Sequence, residues 1–430
     1  MSSATFTVDI KVFKEKALTW AQKFKEIAYL NSSGYTTDEY TAVDSVLAVH
    51  AASVFESNQI NTFQNLQDFK AKHPNTWMFG FFSYDLKNEI ESLSTNKPDR
   101  LGFPNAAFFV PQTLIKFKKE LVEIIAPDPQ LILAQIEATT ITETASSQTL
   151  NIKVKSRMSK SDYTKAFNHV QQHINRGDIY EVNLCQEFYA EETDIQPLEV
   201  YRALESVSPT PFSTFFKWKD KFVLCASPER FLAKRNDTLI SQPIKGTAAR
   251  GKNANEDELI IKRLQNDPKE IAENIMIVDL VRNDLTISAK PGSVDASKKL
   301  EIHSFKQVHQ LISTITCQQA NEIDDLTAIK NAFPPGSMTG APKVSAMQIC
   351  EKYENSRRGL YSGSIGYFAP NGSFDFNVII RSILYNENLK YLSFHTGGAI
   401  TLNAKLEDEY QECLLKASAI LQVLNADIYP

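Results

Sequence analysis

The segment "NDPKEIAENIMIVDLVRNDL" (266–285) constrains this chain most. It opens like a helix, with Asp267 placed to cap it and Pro268 suited to the first turn. At about 100° per residue, Ile277 and Leu280 fall on the same side as Glu270 and Glu273, while Ile271, Ile275 and Val278 form a second apolar stripe. A helix apolar nearly all round has to be enclosed by other elements. Its two glutamates then interrupt a buried stripe, and buried carboxylates need a partner. With 430 residues, 43% of them apolar and 23% charged, the chain is long enough to wrap such a helix in a large core.

The segment "LEDEYQECLLKASAILQVL" (406–424) repeats the device. Glu409 and Glu412 are again three apart, and Lys416 lies four beyond Glu412 on the same face. Two carboxylate pairs on two helices can converge on one hard divalent cation, and Mg²⁺ suits an all-oxygen set. Each pair alone has a plainer reading. Glu270 can complete a capping box with Asp267, and Glu412–Lys416 can be an exposed ion pair of little energetic value.

Composition excludes several classes. The formal charge of −5 argues against a nucleic-acid binder. No stretch is long and apolar enough to cross a bilayer, and the first residues carry no apolar signal-peptide core. The five cysteines (185, 225, 317, 350 and 413) are scattered without metal-ligand spacing, which fits reduced thiols in a cytoplasmic protein. A Thr/Ser-rich stretch at 138–149 reads as a linker, which places a boundary near 150 between regions 1–150 and 151–430. Beyond it, Tyr163, Phe167, Val170 and Ile174 recur at helical spacing, Gly177 stops that helix, and a strand follows through Val182 and Leu184. Helical patterns then alternate with β-rich runs at 373–385 and 391–400, so the class is α+β.

Four short stretches suggest a receptor for a small, multiply carboxylated molecule. "SQPIKGTAARG" (241–251) puts Lys245 beside Gly246 and the Thr247 hydroxyl, where a lysine can serve as a nucleophile. "FPPGSMTGAPK" (333–343) lacks the Gly-Lys-Ser/Thr of a phosphate loop; it reads either as a rigid turn or as a loop bringing backbone NH groups and Thr339 to a ligand. "HTGGAI" (395–400) reads as a backbone-exposing loop at a strand end, with Gly397 and Gly398 as NH donors. Arg381 interrupts the apolar run "FNVIIRSILY", as a guanidinium in a buried strand waiting for an anion, and Tyr361 can add a hydroxyl.

These residues lie in stretches that closely resemble the chorismate-utilising enzymes: "GDIYEVNLCQEF", "ASPERF", "PIKGTAARG", "DPKEIAENIMIVDLVRNDL", "FPPGSMTGAPK", "RRGLYSGSIGY", "NVIIRS" and "EYQECLLKA". They run in the family's order from about 177 to 417, and "YLNSSGY", "GFFSYDL" and "FPNAAFFVP" extend the match toward the N-terminus. The resemblance implies two large antiparallel sheets packed face to face with helices outside. It implies chorismate as substrate and Mg²⁺ as cofactor, with Glu273 and Glu412 as metal ligands and Glu270 and Glu409 as outer or water-mediated partners. Arg381, Tyr361, Gly397 and Gly398 are implied as receptors of the enolpyruvyl carboxylate, with Thr247, Thr339 and Lys416 also on the substrate.

Two positions separate the family's branches. Isochorismate and salicylate synthases carry a water-activating lysine where this chain has Glu181, which argues against those activities. Anthranilate synthases usually have alanine where this chain has Lys245; aminodeoxychorismate synthases have lysine. The resemblance therefore implies amination of chorismate at C4 through a covalent Lys245 adduct, toward p-aminobenzoate and folate, with the anthranilate reaction as the alternative. Glu229 is implied as general acid–base and His309 as a polar contact near the substrate, although a lone histidine on an apolar helix, as "KQVHQLIS" reads, is usually structural. Burial and the metal are expected to lower the Lys245 pKa. No glutaminase nucleophile is evident, so a separate glutamine amidotransferase subunit is expected to supply ammonia. The N-terminal region resembles the part of anthranilate synthases that binds tryptophan. Glu181, Ala399 and Ala404 depart from the family's usual residues.

Overall fold

The computed structural model describes residues 1–35, 38–58, 60–141, 152–306 and 308–429. Most of the Thr/Ser-rich stretch, and the boundary expected near 150, lie outside the described residues.

Two antiparallel sheets form a sandwich, and two long strands belong to both. The first sheet runs Ser2–Thr7, Leu121–Ala126, the second half of Ala106–Lys118, the first half of Ser45–Ser57, Glu26–Asn31, Phe212–Trp218, Lys221–Ser227, Ser382–Asn386, Tyr391–Ile400 and Glu181–Ala190. The second starts from the other halves of Ser45–Ser57 and Ala106–Lys118. It continues through Met78–Phe82, Ser364–Phe368, Phe374–Asn377, Arg230–Arg235, Thr238–Gln242 and Val308–Gln318, which carries both Asp295–Ser304 and Ile244–Ala249. The register shift between Ala51 and Ser53 marks where the shared strands bend from one sheet into the other. Residues 1–150 and 151–430 thus contribute strands to both sheets.

Aromatic alternation makes the layers. Phe81 points between the sheets and meets Phe216 at 5.6 Å and Trp218 at 6.4 Å. Its neighbour Phe82 points outward and stacks on Phe63 of helix Thr62–Lys72 at 5.7 Å. On the outer face of the first sheet, Tyr29 and Phe215 pack against Tyr201 of helix Pro197–Val207. Ala417, Ile420 and Leu424 of helix Leu406–Leu424 join the same cluster. All five cysteines are buried free thiols, and no helix among the described residues is long and apolar enough to cross a membrane.

Four local expectations change. The Pro268–Thr286 helix is capped by Asp267 as expected, but it buries one side only. Glu273, Asn274, Ile277, Val278, Val281, Asp284 and Leu285 face inward, while Ile275 is 45% exposed. "HTGGAI" is the second half of a fully buried strand, Tyr391–Ile400, not a loop. Arg381 lies in no strand: it occupies the break between Phe374–Asn377 and Ser382–Asn386 with φ +53°. His309 is on strand Val308–Gln318 rather than on a helix.

Candidate active site

The chain crosses between the sheets at two adjacent corners, and each holds a candidate residue. One corner, after Lys221–Ser227, contains Glu229; the other, before Ser382–Asn386, contains Arg381. Val378 N donates to Glu229 O at 3.0 Å and Ala226 N to Arg381 O at 3.2 Å, so the corners brace each other. Ser382–Asn386 pairs with Tyr391–Ile400 only through Asn386↔Tyr391, Tyr385↔Leu392 and Leu384↔Ser393. Continued inward, that register would set Arg381 opposite Thr396. Instead the left-handed turn at Arg381 peels the chain away, which leaves the strand's Phe394–Ile400 edge without a strand partner on that side. The Arg381 guanidinium has no hydrogen-bond or ion-pair partner among the described residues, and burial holds its pKa below the usual value. An interior guanidinium without a partner is suited to receive an anion.

Lys245 comes in from the second sheet. Its strand loses register between Ile244 and Thr247, where Gly246 has φ +94°. The Lys245 side chain is 12% exposed, and its Nζ donates to Glu181 Oε1 at 2.7 Å, across 64 residues of sequence. Asn274 Nδ2 donates to Lys245 O at 3.3 Å and is itself fixed by Ser313 Oγ at 2.6 Å, which ties the lysine backbone to the Pro268–Thr286 helix. Burial pulls the Lys245 pKa down, but Glu181, Glu273 and Glu412 together outweigh it and raise it. Burial thus acts in the expected direction, and the surrounding carboxylates offset it. Glu229 is the opposite case: burial pushes its carboxyl up to about 7, against the pull of Ser337 and Lys245. A narrow cleft lined by Glu229, Gly336 and Ser337 joins it to the Gly/Pro-rich turn.

Two glycines make room for the glutamate pairs. A Cβ at Gly246 would stand 3.0 Å from Glu270 Oε2, and one at Gly398 would stand 2.8 Å from Glu409 Oε2. Lys269 Nζ lies between the helices, 3.4 Å from Glu409 and 3.7 Å from Glu273. Lys416 Nζ holds Glu412 at 2.6 Å and donates to Gly397 O at 2.8 Å. Burial pushes Glu273 up to about 7 and raises Glu270 and Glu409 as well, whereas Lys416 and Lys245 overcome burial at Glu412 and lower it. Glu273 Oε1 and Glu409 Oε2 are buried without a hydrogen-bond partner. Among the described residues no three acidic, histidine or cysteine groups stand close enough to hold an ion, and lysines neutralise the set. In chemistry, an all-oxygen group with orphaned buried atoms and raised pKa values fits a hard divalent cation.

The remaining candidates divide. Tyr361 is buried beside this cluster, stacked on His395 at 5.0 Å. The Thr339 hydroxyl donates to Gly336 O at 3.0 Å and is fully buried, so it closes its own turn. Thr247 is exposed and accepts from Gln310 at 3.5 Å. Both His309 nitrogens are engaged, Nδ1 with Ser304 at 2.8 Å and Nε2 with Asp257 at 3.0 Å, so it links helix Ala254–Asn266 to the sheet. A cavity of about 1040 Å³ lined by Trp77, Lys116 and Tyr367 contains none of these residues.

Sequence reasoning missed the group that anchors the Gly/Pro-rich turn. Arg358 is buried and paired with Glu354, and donates to Met338 O at 2.7 Å and Asn183 O at 2.8 Å; Glu354 in turn accepts from Cys185 N at 2.9 Å. Its only signal was the charge pair in "RRG" ahead of an apolar run. Lys269 was also missed, because only the fold brings it to Glu409 on the other helix.

A family model described as chorismate binding enzyme matches residues 20–422. Aminodeoxychorismate synthase component 1 of Klebsiella aerogenes is 35% identical over 350 residues, covering 81% of this chain and 77% of that protein. Aminodeoxychorismate synthase of Streptomyces griseus is 41% identical over 273 residues, but the match covers 63% of this chain and only 37% of that longer protein. In fold, anthranilate synthase component I from Streptococcus pneumoniae superposes with a TM-score of 0.78 at 24% identity, covering 91% of this chain and 95% of that one. The Escherichia coli isochorismate synthase MenF gives the same TM-score at 16% identity, over 98% and 94%. The sheet sandwich, the order of the motifs and the match along nearly the whole sequence agree: the chain belongs to the chorismate binding enzyme family.

Proposed function

We propose that the chain is component 1 of an aminodeoxychorismate synthase, converting chorismate and ammonia to 4-amino-4-deoxychorismate on the route to p-aminobenzoate. The observation that carries this reading is Lys245, an interior lysine set among Glu181, Glu229, Glu273 and Glu412. As a neutral amine it adds at C2 of the ring; the two ring double bonds shift toward C4, and the C4–O bond breaks. Glu229, whose raised pKa leaves it protonated near neutrality, gives its proton to the departing hydroxyl. Ammonia then adds at C4, the shift reverses, the lysine leaves, and Glu229 takes the surplus proton from nitrogen. The covalent route divides one hard substitution into two displacements.

Arg381, with Tyr361 and the backbone at Gly397 and Gly398, receives the enolpyruvyl carboxylate and orients the ring. Glu273 and Glu412 would hold Mg²⁺, with Glu270 and Glu409 behind them, and the metal would supply a Lewis acid for the ring carboxylate. The orphaned Glu273 Oε1 and Glu409 Oε2 support this assignment. A glutamine amidotransferase subunit supplies the ammonia, a reading supported by the "component 1" in the names of the relatives. The test is Lys245→Ala with chorismate, an ammonium salt and Mg²⁺, products being separated chromatographically. Loss of C4 amination is expected. Anthranilate as the main product of the unmodified protein would overturn the reading.

A further inference from the structure

We infer that Glu181 is the proton acceptor that frees the Lys245 amine to act as a nucleophile. The inference rests on the covalent route proposed above and goes one step further, to a residue at which this chain departs from its family's usual choice.

Four observations carry it. Glu181 Oε1 is 2.7 Å from Lys245 Nζ, a direct charge-assisted hydrogen bond to the atom that has to lose a proton. Glu181 is 1% exposed, so water does not compete for that proton. Its second oxygen, Oε2, is buried with no hydrogen-bond partner among the described residues, so the carboxyl is engaged by the lysine alone. Glu181 also stands on the first residue of strand Glu181–Ala190, which is pinned by nine pairs to Tyr391–Ile400, whereas Lys245 follows a register break in its own strand. The acceptor is held in place by the sheet. The other carboxyls facing Lys245 are Glu273 and Glu412 on the two helices and Glu229 at the corner. Of the four, only Glu181 has a hydrogen bond to Nζ.

The step balances. The ammonium gives one proton to Glu181, and the freed electron pair forms the Nζ–C2 bond, leaving a protonated secondary amine. When ammonia has added at C4 and the Nζ–C2 bond breaks, the electron pair returns to nitrogen as a neutral amine. Glu181 then gives its proton back. Glu229 separately loses one proton to the leaving hydroxide and regains one from the C4 nitrogen. The net change is chorismate plus ammonia to product plus water.

The test uses the full chain with chorismate and Mg²⁺ and no ammonia, so that the Lys245 adduct accumulates and is read by intact-protein mass spectrometry with peptide mapping. Glu181→Gln keeps shape and burial; it is expected to slow adduct formation on the order of 10²-fold near neutral pH, with the deficit shrinking as the solution is made alkaline and KM for chorismate little changed. Glu181→Asp, which keeps a carboxylate one methylene further back, should fall between. Melting curves of both variants confirm that they fold; if Glu181→Gln does not, the Glu181→Asp rate decides. Adduct formation in the folded variant at the unmodified rate, or a pH-independent deficit, overturns the assignment while leaving the covalent route standing. Absence of any adduct in the unmodified enzyme, together with full amination by Lys245→Ala, overturns both.

Discussion

Gly398 and Glu409 occupy space that neither could share with a larger neighbour: the carboxylate oxygen lies 2.8 Å from where a Cβ on the glycine would stand. The glycine is needed for this close approach, since it sits in an ordinary buried strand with nine cross-strand pairs. Gly398→Ala should displace the Glu409 carboxylate, a side-chain end that can move at little cost to stability. The expected outcome is a folded protein whose activation by Mg²⁺ requires at least roughly tenfold more metal, the scale on which outer partners of a metal site act. A Mg²⁺ titration of chorismate consumption checks it, and an unchanged midpoint would count against the pairing.

Glu229 predicts a pH dependence with a definite sign. Its pKa is raised from 4.5 to about 7 by burial, so the fold favours the protonated form. Its share of stability is complete below about pH 4.5 and fades as the pH rises through 7, because the unfolded chain then ionises more readily than the folded one. Melting temperature measured from pH 5 to 8 should decline less in Glu229→Gln than in the unmodified protein. Activity should fall above pH 7 as the proton for the leaving hydroxyl is lost, and Glu229→Gln should lose about 10²–10⁴ in rate.

Arg381 tests the anion receptor with little structural side effect. Its guanidinium has no protein partner to abandon, and its φ of +53° suits glycine better than alanine. Arg381→Gly should leave the melting temperature within a few degrees of the unmodified value while weakening chorismate binding by about 1.5–3 kcal/mol, the worth of a hydrogen bond to a charged group. Steady-state kinetics should show the loss chiefly in KM.

His309 should behave differently. Both ring nitrogens are taken by Ser304 and Asp257, so His309→Ala leaves those groups to find new partners at about 1–3 kcal/mol of stability. Thermal denaturation should register the loss, with KM for chorismate nearly unchanged. A large rise in KM at an unaltered melting temperature would restore its expected role beside the substrate.

The parts of this site that were legible in the sequence are those with short-range spacing. Glutamates three apart declared the helix face that carries them, and Asp267 and Pro268 declared where the helix starts. Long-range geometry was hidden. The run "FNVIIRSILY" reads as one strand because the break at Arg381 is a corner between sheets, and no glycine or proline marks it. "HTGGAI" reads as a loop because paired glycines usually signal turns, whereas here Gly398 admits Glu409 from a helix in front of the strand and Gly397 packs against Cys185 and Leu184 of the neighbouring strand. Ile271 and Ile275 made the Pro268–Thr286 helix look enclosed, yet its outer side faces solvent. The Glu181–Lys245 contact joins residues on different strands, and only the fold could reveal it.

The two strands common to both sheets also bear on how the molecule assembles. Ser83 Oγ donates to Gly359 O across 276 residues, and Met78–Phe82 pairs with Ser364–Phe368 at a similar remove. Topologies dominated by such distant pairings fold slowly, because loop closure is entropically costly before any contact repays it. During synthesis the aromatic strand Met78–Phe82 can pair early with Ala106–Lys118, but its other edge waits for Ser364–Phe368 and stays available to wrong neighbours. The late C-terminal strands and the Leu406–Leu424 helix close the sandwich and deliver the last two glutamates in one event, so a nascent chain stopped short of them has neither a finished core nor a catalytic centre.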